Sequence, residues 1–283
     1  MATRGNAKKA LLVRAYGTYF NLLSYIDRRA AGRRALLTFS KVRKGRILPE
    51  QEAFLSPAKD RVHHIAGHRI QGYRWPGNGP RVLLLHGWES NAFRWRNLIA
   101  FLREAGFDIM AFDAPAHGDS SGDYFYVPVY TECVEYLVQH YQPEVVVGHS
   151  VGGTTALYHN YKYPNEFVEK IVTIGSPSEL HEIMQSYQSL LGFNNRVLAA
   201  LDEQVREKFG FGIREFSTSE FVRDNQKAGL LLHDKHDRIA PFEASRRVHE
   251  AWEGSELVPT EGLGHSMHQE MVNRRIVDFL LKQ

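Results

Sequence analysis

A chain of 283 residues, 43% hydrophobic and 24% charged, has the balance of a globular protein, long enough for one large α/β domain with an insertion. No apolar run reaches the roughly 18–20 residues that a bilayer crossing needs, and the polar, basic start lacks a secretory pattern. The net charge of +3 is unevenly spread: residues 1–46 hold twelve Lys or Arg and a single acid, Asp27, which leaves the rest net acidic by eight. One cysteine, Cys133, excludes an internal disulfide and suits a reducing compartment, so a cytoplasmic protein is expected.

Residues 7–31 read as an amphipathic helix with Leu12, Tyr16, Tyr19, Leu23 and Ile26 on one face. Lys8, Lys9, Arg14, Arg28 and Arg29 fall mostly elsewhere, and a basic stretch through Arg33, Arg34 and Lys41–Arg46 ends at Pro49. Three readings compete. The helix packs its apolar face on the main domain, or residues 1–46 dock on an anionic membrane surface, peripheral at its inner side. Nucleic-acid binding is disfavoured, because no nucleic-acid fold accompanies the charge. The expected division is a basic helical extension over 1–60 and a main domain over 61–283.

Residues 61–75 read as a hairpin turning at Ala66-Gly67. The spacing of His64 and His68 would pair metal ligands only on a helix, so no metal is expected there. Residues 81–85 form a continuous apolar run, as a strand buried on both faces requires, and lead into His86-Gly87-Trp88. A helix over 91–104, a strand over 108–113 and a helix over 128–141 follow, then the strand Val145–Val147. Strands alternate with helices, which predicts a mostly parallel, doubly wound sheet. After a strand over 167–174 the alternation breaks. Leu180, Ile183, Met184, Tyr187, Leu190 and Leu191 recur at helical spacing, so about 178–226 is a helical insertion. Alternation resumes with a strand over 228–233, a helix over 242–252, a strand over 256–259 and a terminal helix ending at Leu281.

The chain is organised around Gly148-His149-Ser150-Val151-Gly152, a turn between an apolar strand and a helix start. A serine at such an apex needs a backbone conformation that non-glycine residues avoid, so that Oγ points out of the turn. Strand and helix then pass so closely that the residues two before and two after must lack bulk. The helix start also aims free N–H groups at the space above the serine.

Several motifs in register make the chain resemble the α/β-hydrolase superfamily over roughly residues 61–283: His-Gly-Trp (86–88), Asp-Ala-Pro-Ala-His-Gly (113–118), the elbow (148–152), Asp237 in Asp-Arg-Ile-Ala-Pro, and His265 in Gly-Leu-Gly-His. The resemblance implies the α/β-hydrolase fold with a helical cap at about 178–226, and a serine esterase-like or lipase-like activity. It implies Ser150 as nucleophile, His265 as base and then acid, and Asp237 as the group that holds the imidazole. It also implies the backbone N–H groups of Trp88 and Val151 as oxyanion donors. Asp234 competes with Asp237, and His268 with His265. His149, Phe93, Trp95, Met184 and Tyr187 are pocket candidates, though each is also suited to plain packing. Ala116 stands where the family often has glycine.

No zinc spacing, phosphate-binding glycine loop or dinucleotide pattern appears, so no cofactor is expected and the partner is a small-molecule ester. The reading is hydrolysis of a carboxylic ester, a thioester or lipid ester included, through an acyl-enzyme. Its alternatives are an acyltransferase or lyase using the same triad, and a non-catalytic membrane-associated or binding module.

Overall fold

The computed structural model describes residues 2–282, with side chains from residue 12 onward; the side chains of Lys8 and Lys9 lie outside the described residues. Helices α1 (Ala2–Ile26), α2 (Arg28–Ser40) and α3 (Pro49–Leu55) precede the hairpin β1 (Lys59–Ile65) and β2 (His68–Trp75). Then come β3 (Arg81–Leu85), a short 3-10 turn (Ala92–Trp95), α4 (Arg96–Glu104), β4 (Asp108–Phe112), α5 (Val127–Tyr141), β5 (Val145–His149), α6 (Val151–Lys162) and β6 (Lys170–Ile174). The chain continues through α7 (Leu180–Leu191), α8 (Asn195–Phe209), α9 (Thr218–Phe221), β7 (Ala228–Asp234), α10 (Phe242–Ala251), β8 (Ser255–Thr260) and α11 (Glu270–Leu281). The alternation read from the sequence is the one observed. Two compact units result, one of residues 1–41 and 179–217 and one of 42–178 and 218–283.

In the larger unit the described strands form an eight-stranded sheet in the order β1-β2-β4-β3-β5-β6-β7-β8. β1 and β2 pair antiparallel, as do β2 and β4, and the pairings from β4 through β8 are parallel. Because strand side chains alternate, each central strand feeds two cores. Val82, Leu84, Val145 and Val147 face α4 and α11 through Leu98, Leu102, Ile276 and Phe279. Leu83, Leu85 and Val146 face α5 and α6 through Val134, Leu137 and Leu157. Cys133 belongs to this second core, and burial pushes its thiol up to about 12, so it is inert packing.

The loop after β4 is built around Asp113, which is fully buried. Its carboxylate accepts from the Ala92 amide at 2.9 Å, the Asp119 amide at 2.9 Å and the Tyr73 hydroxyl at 2.8 Å. Gly118 turns beside it with φ +48°, and a Cβ there would overlap the Asp113 carboxyl group. The basic segment 41–46 is a strap on this loop rather than a free patch. Gly118 donates its amide to the Gly45 carbonyl at 2.8 Å. The Arg46 guanidinium donates to the carbonyls of Gly118, Ser120 and Gly122 at 3.1, 2.5 and 2.9 Å.

The smaller unit departs from expectation. The single helix expected over 7–31 is two, broken at Asp27, whose side chain caps α2 by accepting from the Ala30 amide. The unit joins the N-terminal stretch 1–41 to residues 179–217. The buried face of α1 is not the apolar stripe. It holds Gly17, Phe20 and Ser24, whereas Leu12, Tyr16, Tyr19 and Ile26 are exposed. The reason is close approach: a Cβ on Gly17 would overlap the Leu191 carbonyl oxygen. Asn21 then reaches both sides of the α7–α8 turn, donating to the Gly192 carbonyl at 3.2 Å and accepting from the Asn194 amide at 2.7 Å. Arg28 and Arg29 pair with Glu203 and Glu207 of α8.

Candidate active site

β5 ends at His149, and Ser150 takes φ +52°, ψ −126° before α6 begins at Val151. Few non-glycine residues hold such angles, and they persist only where neighbours fix them. Here the Ser150 amide donates to the Ile174 carbonyl at 2.8 Å. A Cβ on Gly148 would lie 2.5 Å from the Gly152 backbone, and one on Gly152 would lie 2.7 Å from the His86 carbonyl oxygen. Both glycines therefore satisfy the steric demand read from the sequence.

Gly87 lies against the serine: a Cβ there would be 3.0 Å from Ser150 Cβ and 2.9 Å from His149 Nδ1. This brings the His86-Gly87-Trp88 loop beside the elbow. Two buried histidines hold that loop. The Ala114 amide donates to His86 Nε2 at 2.9 Å, which leaves the ring proton on Nδ1, directed to the Gly87 carbonyl at 2.8 Å. The Glu89 amide donates to His117 Nε2 at 2.9 Å, and His117 Nδ1–H reaches the Pro115 carbonyl at 2.9 Å. Burial foremost pushes His86 down to about 3 and His117 down to about 4, so both stay neutral near pH 7.

On the far side, His265 Nδ1 lies 2.7 Å from Asp237 Oδ2. Burial by itself would raise the Asp237 carboxyl, but the nearby His233 ring and hydrogen bonds from His265 and the Ile239 amide hold it well below the usual carboxylate range. Asp234, the rival acid, is spent elsewhere: it accepts from the His236 and Leu263 amides and the Thr260 hydroxyl. His149 links the two sides. Its Nε2 donates to the His265 carbonyl at 2.9 Å, and the two rings are 4.8 Å apart. Its Nδ1 is buried without a hydrogen-bond partner among the described residues.

The structure thus brings Ser150, His149, Asp237, His265, Trp88 and Val151 into one region. The remaining pocket candidates have these surroundings. Trp95 is 2% exposed inside the α4/α11 core, and Phe93 packs edge-on to Phe54 at 5.7 Å. Met184 and Tyr187 belong to the smaller unit. Met184 lines a cavity of about 210 Å³ there with His181, Asn195, Asp202 and Arg214. The Tyr187 hydroxyl donates to the Ala35 carbonyl at 3.0 Å, and its ring packs on Phe39 and Phe193. Two residues at the site escaped the sequence reading, His233 and Arg94. A histidine four positions before the acid on the same strand end was the one available sign of the first.

A sequence model of the alpha/beta hydrolase fold matches residues 80–264. The chain is 26% identical over 259 residues to the bifunctional esterase/perhydrolase DCH of Acinetobacter calcoaceticus, covering 72% of this chain and 93% of that one. It is 32% identical over 193 residues to esterase Rv0045c of Mycobacterium tuberculosis, covering 66% of this chain and 59% of that one. Among solved structures, the ferulic-acid-bound Est1E from Butyrivibrio proteoclasticus superposes with a TM-score of 0.64 at 17% identity, over 79% of this chain and 99% of that one. That last likeness speaks for the fold alone. With the sheet order, the strained serine and the matched span together, the chain belongs to the alpha/beta hydrolase fold family and is a hydrolase of that family.

Proposed function

We propose that the protein hydrolyses a carboxylic ester through an acyl-enzyme on Ser150. One observation carries the reading: His265, whose ring is held by Asp237 at 2.7 Å, is tied through its carbonyl to His149, the residue before the strained serine. In this scheme Ser150 Oγ attacks the ester carbonyl as its proton passes to His265 Nε2. The backbone N–H groups of Trp88 and Val151 receive the developing oxyanion. The C–O bond breaks and His265 returns its proton to the departing alcohol. Water then attacks the acyl-enzyme by the same route, which releases the acid and restores Ser150. The esterase relatives support ester cleavage in general.

The test is labelling by a fluorophosphonate probe together with hydrolysis of p-nitrophenyl esters, in wild type and Ser150→Ala. We expect labelling only in wild type and a fall in kcat of at least about 10³-fold in the variant. Folded wild type that neither labels nor hydrolyses would return weight to the non-catalytic module. Product analysis with an added alcohol or thiol distinguishes an acyltransferase.

We also propose that the N-terminal segment brings the protein to an anionic bilayer. Leu22, Tyr25 and Ile26 are 63%, 72% and 85% exposed, an apolar face in a segment rich in cations. Among the described residues, Arg14, Arg33, Arg34 and Lys44 are exposed and pair with no carboxylate. Anionic headgroups complement that charge, and the apolar face suits a helix lying in the interface. No described helix is long and apolar enough to cross a membrane. Deleting residues 1–46 would also remove the Arg46 strap, so the cleaner variant is Leu22→Glu with Ile26→Glu. We expect wild type to sediment with phosphatidylserine-containing vesicles, less with neutral ones, and the variant to stay in solution. Equal sedimentation of the two proteins would overturn the proposal. So would a lipid-free dimer that the variant abolishes, which would assign the face to a second copy.

A further inference from the structure

Behind the Asp237–His265 pair runs a line of buried side chains from β7 to α10. His233, the penultimate residue of β7, is fully buried. Its Nδ1 lies 2.6 Å from Ser245 Oγ on α10, and its Nε2 lies 2.9 Å from the Ala240 carbonyl and 3.4 Å from Asp237 Oδ2. Both neighbours of Nε2 accept only, so the ring proton sits on Nε2 and Nδ1 accepts from the Ser245 hydroxyl. Phe242 closes the edge of the ring at 5.9 Å.

The two oxygens of Asp237 are held differently. Oδ1 accepts from the backbone amides of Ile239 at 2.7 Å and Ala240 at 3.1 Å. Among the described residues no amide donates to Oδ2; it faces the rings of His265 and His233. A buried carboxylate is costly unless its lone pairs are met, and one left short of donors takes up a proton. A protonated Asp237 no longer favours the imidazolium that the proposed mechanism forms on His265.

We infer that His233 is a positioning residue: its Nε2–H, fixed in that tautomer by Ser245, donates to the Ala240 carbonyl at 2.9 Å and lies 3.4 Å from Asp237 Oδ2, where it helps to keep that oxygen ionised and aimed at His265 Nδ1. It touches no reacting atom and acts through Asp237. The inference rests on the triad reading above for its kinetic consequences, though not for its geometry.

The test compares wild type, His233→Gln, His233→Phe and Ser245→Ala. Glutamine keeps an N–H donor near the Nε2 position, phenylalanine keeps the volume without a donor, and the alanine variant frees the tautomer while leaving the ring. With a p-nitrophenyl ester we expect His233→Phe to lower kcat by about 10–10²-fold with KM unchanged. We expect His233→Gln to recover most of that loss and Ser245→Ala to fall between. A role confined to stability would lower Tm in every variant yet leave kcat per folded molecule alone.

The second readout needs no turnover: the low-field proton resonance of His265 Nδ1–H, identified by its loss in His265→Ala. We expect that signal to shift and exchange faster with water in His233→Phe and to be restored in His233→Gln. If wild type proves inactive, the triad reading fails while this signal still reports on His233. A resonance unchanged in folded His233→Phe overturns the inference, as does an unchanged kcat in an active enzyme.

Discussion

The Arg94 guanidinium donates from Nη2 to the Ser266 carbonyl oxygen at 2.7 Å, which fastens a cation to the residue after His265. Among the described residues no carboxylate pairs with it, and its Nε is buried without a hydrogen-bond partner. Burial, with Arg96 adding, pushes it down to about 9, so it is still charged at pH 7. That charge bears on the histidines nearby: His268 is pushed down to about 4 by burial first and then by Arg94 and Arg96. Replacing Arg94→Met therefore raises the His268 pKa. An NMR titration of the ring protons measures it, and an unmoved His268 would refute the coupling.

Gly17 offers a test in which propensity and packing have opposite signs. In an isolated helix, Gly17→Ala stabilises by about 1 kcal/mol. Here the added Cβ overlaps the Leu191 carbonyl oxygen, and overpacking typically costs about 1–3 kcal/mol. The expected result is a lower melting temperature for Gly17→Ala. A higher one would mean that α1 does not approach α7 this closely.

Gln142 ends α5 in the left-handed region at φ +49°, is exposed, and makes no side-chain hydrogen bond among the described residues. Glycine takes that conformation without the Cβ penalty. Gln142→Gly should therefore stabilise by about 0.5–1 kcal/mol, raising Tm by about 2 °C in calorimetry.

The paired loop histidines give the fold an acid limit. His86 and His117 have folded pKa values near 3 and 4, below the ordinary 6.5. The unfolded chain takes up their protons first, so their contribution is full above about pH 6.5 and is lost as pH falls from there towards 4 and 3. The loss is on the order of a few kcal/mol in total. Urea midpoints between pH 7.5 and 4.5 should fall in wild type, and less steeply in His117→Gln, which starts lower but lacks one titrating ring. Parallel slopes would show that other groups govern the acid limb.

What the sequence displayed was what local sterics write into it. The runs Val82–Leu85 and Val145–Val147 are apolar without alternation because both faces are buried, and Gly148 and Gly152 flank Ser150 because a Cβ has no room. Helix α1 misled because, beside the one buried aromatic Phe20, its contact is made by Gly17, Asn21 and Ser24, small or polar residues that a count of apolar positions passes over. Arg46 looked like one more surface cation; its partners are backbone carbonyls more than 70 residues away, and carbonyls have no sequence signature. The Ser245–His233–Asp237 line was hidden for a related reason. It depends on how β7 and α10 meet, which spacing along the chain does not encode.

The smaller unit is assembled from two separated stretches, 1–41 and 179–217, and this has a consequence during synthesis. The first stretch leaves the ribosome about 140 residues before the second begins, roughly 7–30 s at ordinary elongation rates. Through that interval Gly17, Phe20 and Ser24 have no α7–α8 turn to meet, and the nascent helices carry apolar side chains on more than one face. A chaperone or a lipid surface that holds residues 12–26 during those seconds would act before the larger unit has closed its sheet. The yield of correctly folded chains should then depend on translation speed between codons 42 and 178.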